Sequence, residues 1–373
     1  MKEMLMEFKI NKKNFMEILV KIQGITLSKT NMPILSNVLI RADNENELNI
    51  MATDLDIGFI GLYPTEIIKP GKITISSRKI FEIVKDFPKE VIYIKELENK
   101  WIQIVDDSVK YNMVGMDPEE FPSLPDIENV DFLEIDATLL KNMIDKTIYS
   151  VLTGEGYIEM TGIYIEQEKN FLNMVSTDGH RLSFIKGIID KPEPLIIKQG
   201  VIIPKKGIIE ATKLLDTEGT VRIGVKENKF ILKKDNETVI TRLIEGEYPT
   251  YKNIIPWDNQ NSLIVKKEIF LMMLRRMSIF SSEKYRGVKF KINKNSIEII
   301  NTNPELGESS ERGQVQYDGE VMEIGFNPKY FIETLNSMKS EEVVIKFKDH
   351  KSSCLISGDS DENFLSVIMP MRV

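Results

Sequence analysis

Hydrophobic and polar positions along this chain follow two rhythms that take turns. Period-two runs, which send successive side chains to opposite faces of a strand, occur at Leu48 to Ile50, Val91 to Ile94, Ile163 to Ile165, Phe230 to Leu232, Val288 to Phe290 and Val343 to Phe347. Between them, apolar residues recur at helical spacing: Phe15, Ile18, Leu19 and Ile22, then Ile80, Ile83 and Val84, then Leu139, Leu140, Met143 and Ile144. The same spacing returns at Ile208, Ile209 and Ala211, at Phe270, Met273, Leu274 and Met277, and at Phe331, Ile332 and Leu335. Six short amphipathic helices among many strands predict an α+β chain in which each helix buries one stripe.

The pattern repeats with a period of about 125 residues, a spacing that signals duplicated structural units. An apolar strand running into a helix begins at Phe8, Leu133 and Leu263, and a strand ending in Thr-Asp or Thr-Asn recurs at Thr53-Asp54, Thr177-Asp178 and Thr302-Asn303. The segments from Ile73 to Glu82, Val201 to Glu210 and Ile324 to Glu333 align without gaps, each with a strand, a basic sixth position (Arg78, Lys206, Lys329), a helix and a final Glu. Phe121-Pro122, Tyr248-Pro249 and Met369-Pro370 read as the pair closing each unit. Polar, proline-bearing stretches from Asp117 to Asp126 and from Pro249 to Asn261 interrupt the periodicity. They predict domains at 1–125, 126–254 and 255–373, each with two helices and two small antiparallel sheets.

At 373 residues the chain outgrows a single hydrophobic core. One cysteine, Cys354, excludes an internal disulfide, and two histidines, His180 and His350, leave little for a thiolate or imidazole metal site. No apolar run approaches the roughly 20 residues of a membrane span. Met1 to Ile10 lacks a secretory apolar region, so a cytoplasmic location with no membrane partner is expected.

Lys and Arg number 49 against 57 Asp and Glu, a net charge of −8 that taken whole argues against nucleic acid. Its distribution changes the picture. The six predicted helical segments (11–27, 77–87, 136–151, 204–215, 266–280 and 327–339) sum to +9, so strands and loops carry −17. Gathered on one surface, such helices would draw phosphate without reading bases. The competing reading is that Lys and Arg merely solvate exposed helix faces. Charge position alone nominates Lys12, Lys206 and Arg275 for phosphate contact. No helix-turn-helix, zinc finger or series of stacking aromatics points to base readout.

Several strings resemble one family across nearly the whole chain, the beta subunits of bacterial DNA polymerase III. They are Met32-Pro-Ile-Leu-Ser-Asn37, Thr53-Asp-Leu-Asp56, Ser176-Thr-Asp-Gly-His-Arg-Leu182, Glu283-Lys-Tyr-Arg-Gly287, Met322-Glu-Ile-Gly-Phe326 and Met369-Pro-Met-Arg-Val373. Residues 1–5 read as an overhang, since that family's first strand would begin near Met6. The resemblance implies the DNA clamp fold and a head-to-tail homodimer closing as a six-domain ring with the helices inside. It further implies a processivity factor that encircles duplex DNA, tethers the replicative polymerase and needs no cofactor.

Site residues follow from the same resemblance. The dimer contact would join Tyr111 to Ile279 and Phe280, although ordinary core packing is the competing reading for Phe280. The polymerase catalytic subunit, the clamp loader, other polymerases and repair proteins would dock short linear peptides in one pocket. Its members would be Met160, Thr177, Gly179, His180, Arg181, Leu182, Pro249, Ile254, Val367, Met369, Pro370 and Met371. Met and Leu there make a deformable apolar floor, with His180 and Arg181 supplying polar rim contacts. Asn253 stands where the family commonly has a basic residue. DNA would meet Lys29, Arg78 and Tyr157, with Gly154 replacing a frequent polar side chain.

A rival class is a metal-dependent phosphoryl-transfer enzyme using Asp54, Asp56, Asp178 and His180. The repeat speaks against it, because a Thr-Asp or Thr-Asn step at the end of the same strand in every unit is what a turn residue does. A two-metal site also needs carboxylates that converge. With no phosphate-binding Gly-Lys-Ser/Thr loop and no nucleophile beside a base, the chain reads as non-catalytic.

Overall fold

The alternating runs form strands and the helically spaced runs form helices, in the order the pattern gives. This computed structural model describes residues 5–26, 31–43, 46–189, 196–197, 199–282 and 284–372. The first third contains β1 (Glu7–Asn11), α1 (Lys12–Ile22), β2 (Asn37–Ala42), β3 (Glu47–Thr53), β4 (Ile57–Pro64), β5 (Glu66–Lys69), β6 (Gly71–Ser76), α2 (Ser77–Asp86), β7 (Val91–Glu96), β8 (Trp101–Val105) and β9 (Lys110–Val114). The middle third contains β10 (Leu133–Asp136), α3 (Ala137–Asp145), β11 (Gly162–Glu168), β12 (Phe171–Thr177), β13 (Arg181–Ile188), β14 (Val201–Pro204), α4 (Lys205–Thr212), β15 (Thr220–Lys226), β16 (Lys229–Lys234) and β17 (Glu237–Arg242). The last contains β18 (Asn261–Lys266), α5 (Lys267–Met277), β19 (Val288–Asn293), β20 (Ser296–Asn303), β21 (Gly307–Gln314), β22 (Met322–Phe326), α6 (Pro328–Ser337), β23 (Glu342–Phe347), β24 (Cys354–Gly358) and β25 (Phe364–Ile368). No helix among the described residues is long and apolar enough to cross a membrane.

The chain gathers into two units, Met1–Thr138 with Lys206–Leu243, and Leu139–Lys205 with Ile244–Val373. The first holds a five-stranded sheet, β5-β1-β7-β8-β9, and an eight-stranded one, β10-β15-β16-β17-β4-β3-β2-β6. The second holds an eight-stranded sheet, β14-β11-β12-β13-β25-β24-β23-β18, and a four-stranded one, β21-β20-β19-β22. Each eight-stranded sheet fuses two small ones. β17 pairs antiparallel with β4, Ile240 facing Gly58, and β13 pairs antiparallel with β25, Leu182 facing Val367. Six small sheets in the repeat thus become four, because joining edge strands satisfies backbone groups that an open edge leaves unpaired.

Burial follows the predicted periods. β19 buries Val288, Phe290 and Ile292 while Lys289 and Lys291 face outward. α1 buries Phe15, Ile18, Leu19 and Ile22, and it starts where Asn11 Oδ1 accepts from the Lys13 and Asn14 amides at 2.9 and 3.3 Å. In the second unit, Phe270, Phe290 and Phe331 pack ring against ring at 5.2–6.0 Å between centroids, under α5 and α6.

Two expectations need correction. Ile209 on α4 is 44% exposed, and Glu210 is buried in its place. The cause is polar: Glu210 pairs with Lys213 at 2.6 Å and lies where Gly24 has no side chain, since a Cβ there would fall 2.0 Å from Glu210 Oε1. The closing apolar-proline pairs are also not equivalent. Phe121 and Tyr248 lie beyond the bridges of Met116 to Thr74 and Ile244 to Ile202. Met369 instead precedes the corresponding contact, in which the Met371 amide donates to the Gly325 carbonyl at 2.9 Å.

Candidate functional site

The turn between β12 and β13 is built by its own side chains. Thr177 Oγ1 donates to the Arg181 carbonyl at 2.6 Å and accepts from the Gly179 amide at 3.1 Å. Asp178 Oδ1 accepts from the His180 and Arg181 amides, both at 3.0 Å. Gly179 sits at φ 85, a left-handed conformation that costs glycine nothing. The His180 carbonyl then accepts from the Met369 amide at 2.9 Å, which ties the C-terminal segment to the turn.

Beneath the turn lies an apolar floor. Leu182 and Val367 are each 1% exposed and belong to a cluster with Val175, Tyr251, Ile255 and Leu355. Tyr164 and Tyr248 flank it, stacked at 4.9 Å. Met369, Met371 and Ile254 are accessible, at 47%, 38% and 42% exposed. Pro249 holds the nearby 3-10 turn, its carbonyl accepting from the Tyr251 amide at 2.6 Å, and the Met160 carbonyl accepts from the Leu152 amide at 2.9 Å. Asn253 is exposed on that 3-10 turn.

Arg181 is held more closely than a rim contact alone requires. It is 7% exposed, and Nε donates to Asp178 Oδ2 at 3.0 Å, Nη2 to the Tyr149 carbonyl at 2.6 Å and Nη1 to Glu333. Its guanidinium also lies 4.6 Å from the centre of the Tyr330 ring. Each guanidinium nitrogen donates within the protein, so Arg181 braces the turn while still lining the same cavity as the exposed His180.

Cavities open on two sides of the expected pocket residues. His180 and Arg181 line a cavity of about 680 Å³ together with Asn327, Lys329 and Tyr330 at the start of α6. Pro370 and Met371 line a separate groove of about 470 Å³ with Gly325, His350 and Arg372. Asn327, Lys329 and Tyr330 were absent from the expected site. Their signal was the basic sixth position of the third repeat segment, which the pattern assigns only to a helix start. Burial, and then the Asp178 carboxylate, raise the Tyr330 hydroxyl above its usual pKa, so it stays a neutral donor.

The candidate phosphate contacts differ in how free they are. Lys29 lies outside the described residues. Arg78 opens α2 with a 74% exposed side chain, and its Nε meets Glu82 at 3.1 Å. Tyr157 is 73% exposed. Lys12 Nζ donates to the Phe87 carbonyl at 2.6 Å, Lys206 pairs with Asp54 at 2.5 Å, and Arg275 Nη2 donates to Asn336 at 3.1 Å. Gly154 has φ 105 and open space where a side chain would sit.

Tyr111 is half-buried on β9. Ile279 is 72% exposed on the 3-10 turn after α5, where Phe280 is half-buried and its carbonyl accepts from Asn303 Nδ2 at 2.6 Å. Two of the three carboxylates of the rival metal reading, Asp54 and Asp178, hold the amides of their own turns. Asp54 Oδ1 accepts from the Asp56 and Ile57 amides at 3.0 and 2.6 Å, as Asp178 does in its own turn. Among the described residues no three His, Cys, Asp or Glu converge as a metal site.

Comparison with known proteins agrees with this geometry. Residues 6–125, 134–250 and 252–372 match the family models of the N-terminal, central and C-terminal domains of the DNA polymerase III beta subunit. The beta sliding clamp of Bacillus subtilis is 31% identical over 98% of this chain and all of its own length. That of Vibrio cholerae is 27% identical over 99% of this chain and likewise all of its own. Among solved structures, the sliding clamp of Bacillus subtilis superimposes with a TM-score of 0.93 at 30% identity, covering 99% of this chain and 100% of that one. A sliding clamp from Bartonella birtlesii, bound to griselimycin, gives a TM-score of 0.93 at 29% identity with the same coverage.

Proposed function

This chain belongs to the DNA polymerase III beta subunit family, the sliding clamps, and we propose that two copies close head to tail through β9 of one and β21 of the other. It is a non-catalytic processivity factor, a clamp that keeps a DNA polymerase on its template. Its three domains span 1–125, 126–254 and 255–373, a division supported by the three matched ranges.

One observation carries the closure. Two seams within the chain already join successive repeats, β17 with β4 and β25 with β13. In each repeat, β9, β17 and β25 are equivalent strands, as are β4, β13 and β21. Among the described residues, β9 pairs only with β8 and β21 only with β20. They are the two members left without a seam partner, and they are complementary. Because they lie at opposite ends of the repeat series, joining them between two chains yields a closed cycle of six repeats and no free edge of this type.

The register follows from the seams. Gly58, Leu182 and Glu308 each face the strand-end threonine of their own hairpin, Thr53, Thr177 and Thr302. Ile240, Val367 and Asn112 each stand four positions before the residue that reaches back to the parent strand, Ile244, Met371 and Met116. Since Gly58 faces Ile240 and Leu182 faces Val367, Glu308 should face Asn112 of the second copy. Tyr111 then faces Ser309, with Ile279 and Phe280 contributing apolar area beside the new seam.

Within such a ring the duplex is held by its phosphates alone, through Arg78 and Tyr157, with Lys29, Lys12, Lys206 and Arg275 as further contacts. The described helices keep a net positive charge of +6. The floor of Leu182 and Val367, with Met369, Met371, Ile254, Met160, Thr177, Gly179, His180, Pro249 and Pro370 around it, takes short peptides from the polymerase, the clamp loader and repair proteins in the cytoplasm. A cysteine pair tests the closure. Opposed residues of an antiparallel pair stand about 4.5–5.5 Å apart at Cα, within disulfide range. Tyr111→Cys with Ser309→Cys should oxidise to a covalent dimer. A protein that dimerises but never cross-links at this pair would contradict the register, and a monomer at micromolar concentration would contradict the closure.

A further inference from the structure

We infer that the chain carries a second peptide-docking pocket, of about 220 Å³, at the β17–β4 seam, and that it takes a short extended peptide with an aliphatic anchor beside a carboxylate. This rests on the reading of the β13–β25 seam as a peptide pocket, because the turns of the two seams are held by the same set of hydrogen bonds. Thr53 Oγ1 donates to the Ile57 carbonyl at 2.9 Å, as Thr177 Oγ1 does to the Arg181 carbonyl at 2.6 Å. The Leu55 amide donates to Thr53 Oγ1 at 3.0 Å, as the Gly179 amide does to Thr177 Oγ1 at 3.1 Å. Asp54 holds the Asp56 and Ile57 amides as Asp178 holds those of His180 and Arg181. The Arg242 amide donates to the Asp56 carbonyl at 2.8 Å, as the Met369 amide does to the His180 carbonyl at 2.9 Å.

Thr53, Leu55, Asp56, Gly58, Ile240 and Arg242 therefore stand where Thr177, Gly179, His180, Leu182, Val367 and Met369 stand in the other seam. All six line the cavity. Its floor is apolar, from Gly58, Ile240 and Leu124, whose Cδ2 lies 2.8 Å from where a Gly58 Cβ would be.

Leu55 marks the site. It takes φ 80 where its counterpart Gly179 takes φ 85, and its side chain is 57% exposed. A leucine in the left-handed region, presenting apolar surface to water, combines two unfavourable features at one residue, and such features cluster where a ligand is gripped. The rim fixes the ligand's charge. Arg242 is exposed and Lys229 is held only loosely, 3.6 Å from Glu227, against the single carboxylate of Asp56. The other seam has Met369 in the place of Arg242, so the two pockets prefer different peptides, and the acidic one belongs here.

The test is a titration of full-length protein, labelled with carbon-13 at leucine methyl groups, with the peptide acetyl-Asp-Leu-Leu-Phe-amide. Leu55 and Leu124 methyl signals should shift and saturate at a peptide concentration different from that of Leu182. Arg242→Glu should weaken the Leu55 and Leu124 titration about tenfold or more, as reversal of a rim cation does, and leave the Leu182 titration unchanged. Leu55→Gly, which relieves the left-handed strain and so spares the turn, should weaken the titration read at the Leu124 methyls. If only Leu182 shifts, the second pocket is refuted and the reading of the first seam stands. If neither seam responds, both fall. If Leu55 shifts but the response is lost with Met369→Asp rather than Arg242→Glu, the signal is relayed from the first seam and the second pocket is refuted.

Discussion

Replacing Lys146 by methionine isolates one buried charge in the second unit. Lys146 and Asp361 form an ion pair with side chains 4% and 0% exposed. Asp361 Oδ2 separately accepts from the Lys339 and Ser340 amides, both at 2.9 Å, and from the Ser340 hydroxyl at 2.6 Å. Methionine keeps most of the volume, so little cavity cost enters and the loss is electrostatic. Stripping one partner from a buried pair costs about 3–5 kcal/mol. The three donors that remain on Asp361 place Lys146→Met at the lower end, about 3 kcal/mol, which is roughly a hundredfold or more in a local opening equilibrium.

Asp361→Leu should be worse, since it orphans the lysine and three donors together. The Lys339 and Ser340 amides report the opening directly by hydrogen exchange. The pH dependence has a definite sign. Burial acts to raise the Asp361 pKa but is outweighed by hydrogen bonds from Lys146 and Ser340, and the net shift is downward. A carboxyl depressed in the folded state adds stability above its unfolded value of about 3.9, and that stability is lost as pH falls through the lower folded value. Without Lys146 the depressing partner is gone, so the penalty of Lys146→Met should be largest near neutrality and shrink in acid. A variant that costs under about 1 kcal/mol at neutral pH, or whose penalty grows in acid, would refute this reasoning.

Three further outcomes are expected. Cys354 is fully buried and burial pushes its thiol pKa far up, so the native protein should show no thiol reactive toward an aromatic disulfide reagent and one after denaturation; prompt native reaction would contradict the burial. Ile279→Ala and Phe280→Ala should each weaken the dimer in sedimentation equilibrium without changing circular dichroism, Ile279 acting through its exposed side chain. Deleting residues 369–373 removes the Met369 and Met371 backbone bonds that tie the tail to His180 and Gly325, and it should abolish peptide binding in fluorescence polarisation while the fold persists.

Element type and order were legible in the sequence because each strand and helix carries its own period, as the burial of β19 and α1 shows. The strand-end threonines were legible too, since a turn that satisfies its own amides leaves the same residues in each copy. What the local pattern cannot hold is partnership between distant segments. Fusion of the sheets through β17 with β4 has no nearby signal, and neither does the exchange of Ile209 for Glu210, which depends on a glycine 186 positions away. Arg181 was legible only in part for the same reason. Its polarity suggested a rim, and only the approach of Asp178, Glu333 and Tyr330 reveals that it also braces the turn from within. Met369-Pro370 matched the other apolar-proline pairs in letters but not in place, because bridge geometry rather than composition defines that landmark.

An electron micrograph of the purified full-length protein bears most directly on closure. Class averages should show an annulus with six similar lobes and an open centre wide enough for a duplex, assembled from two chains. Single arcs, or pairs of chains joined anywhere other than β9 to β21, would contradict it.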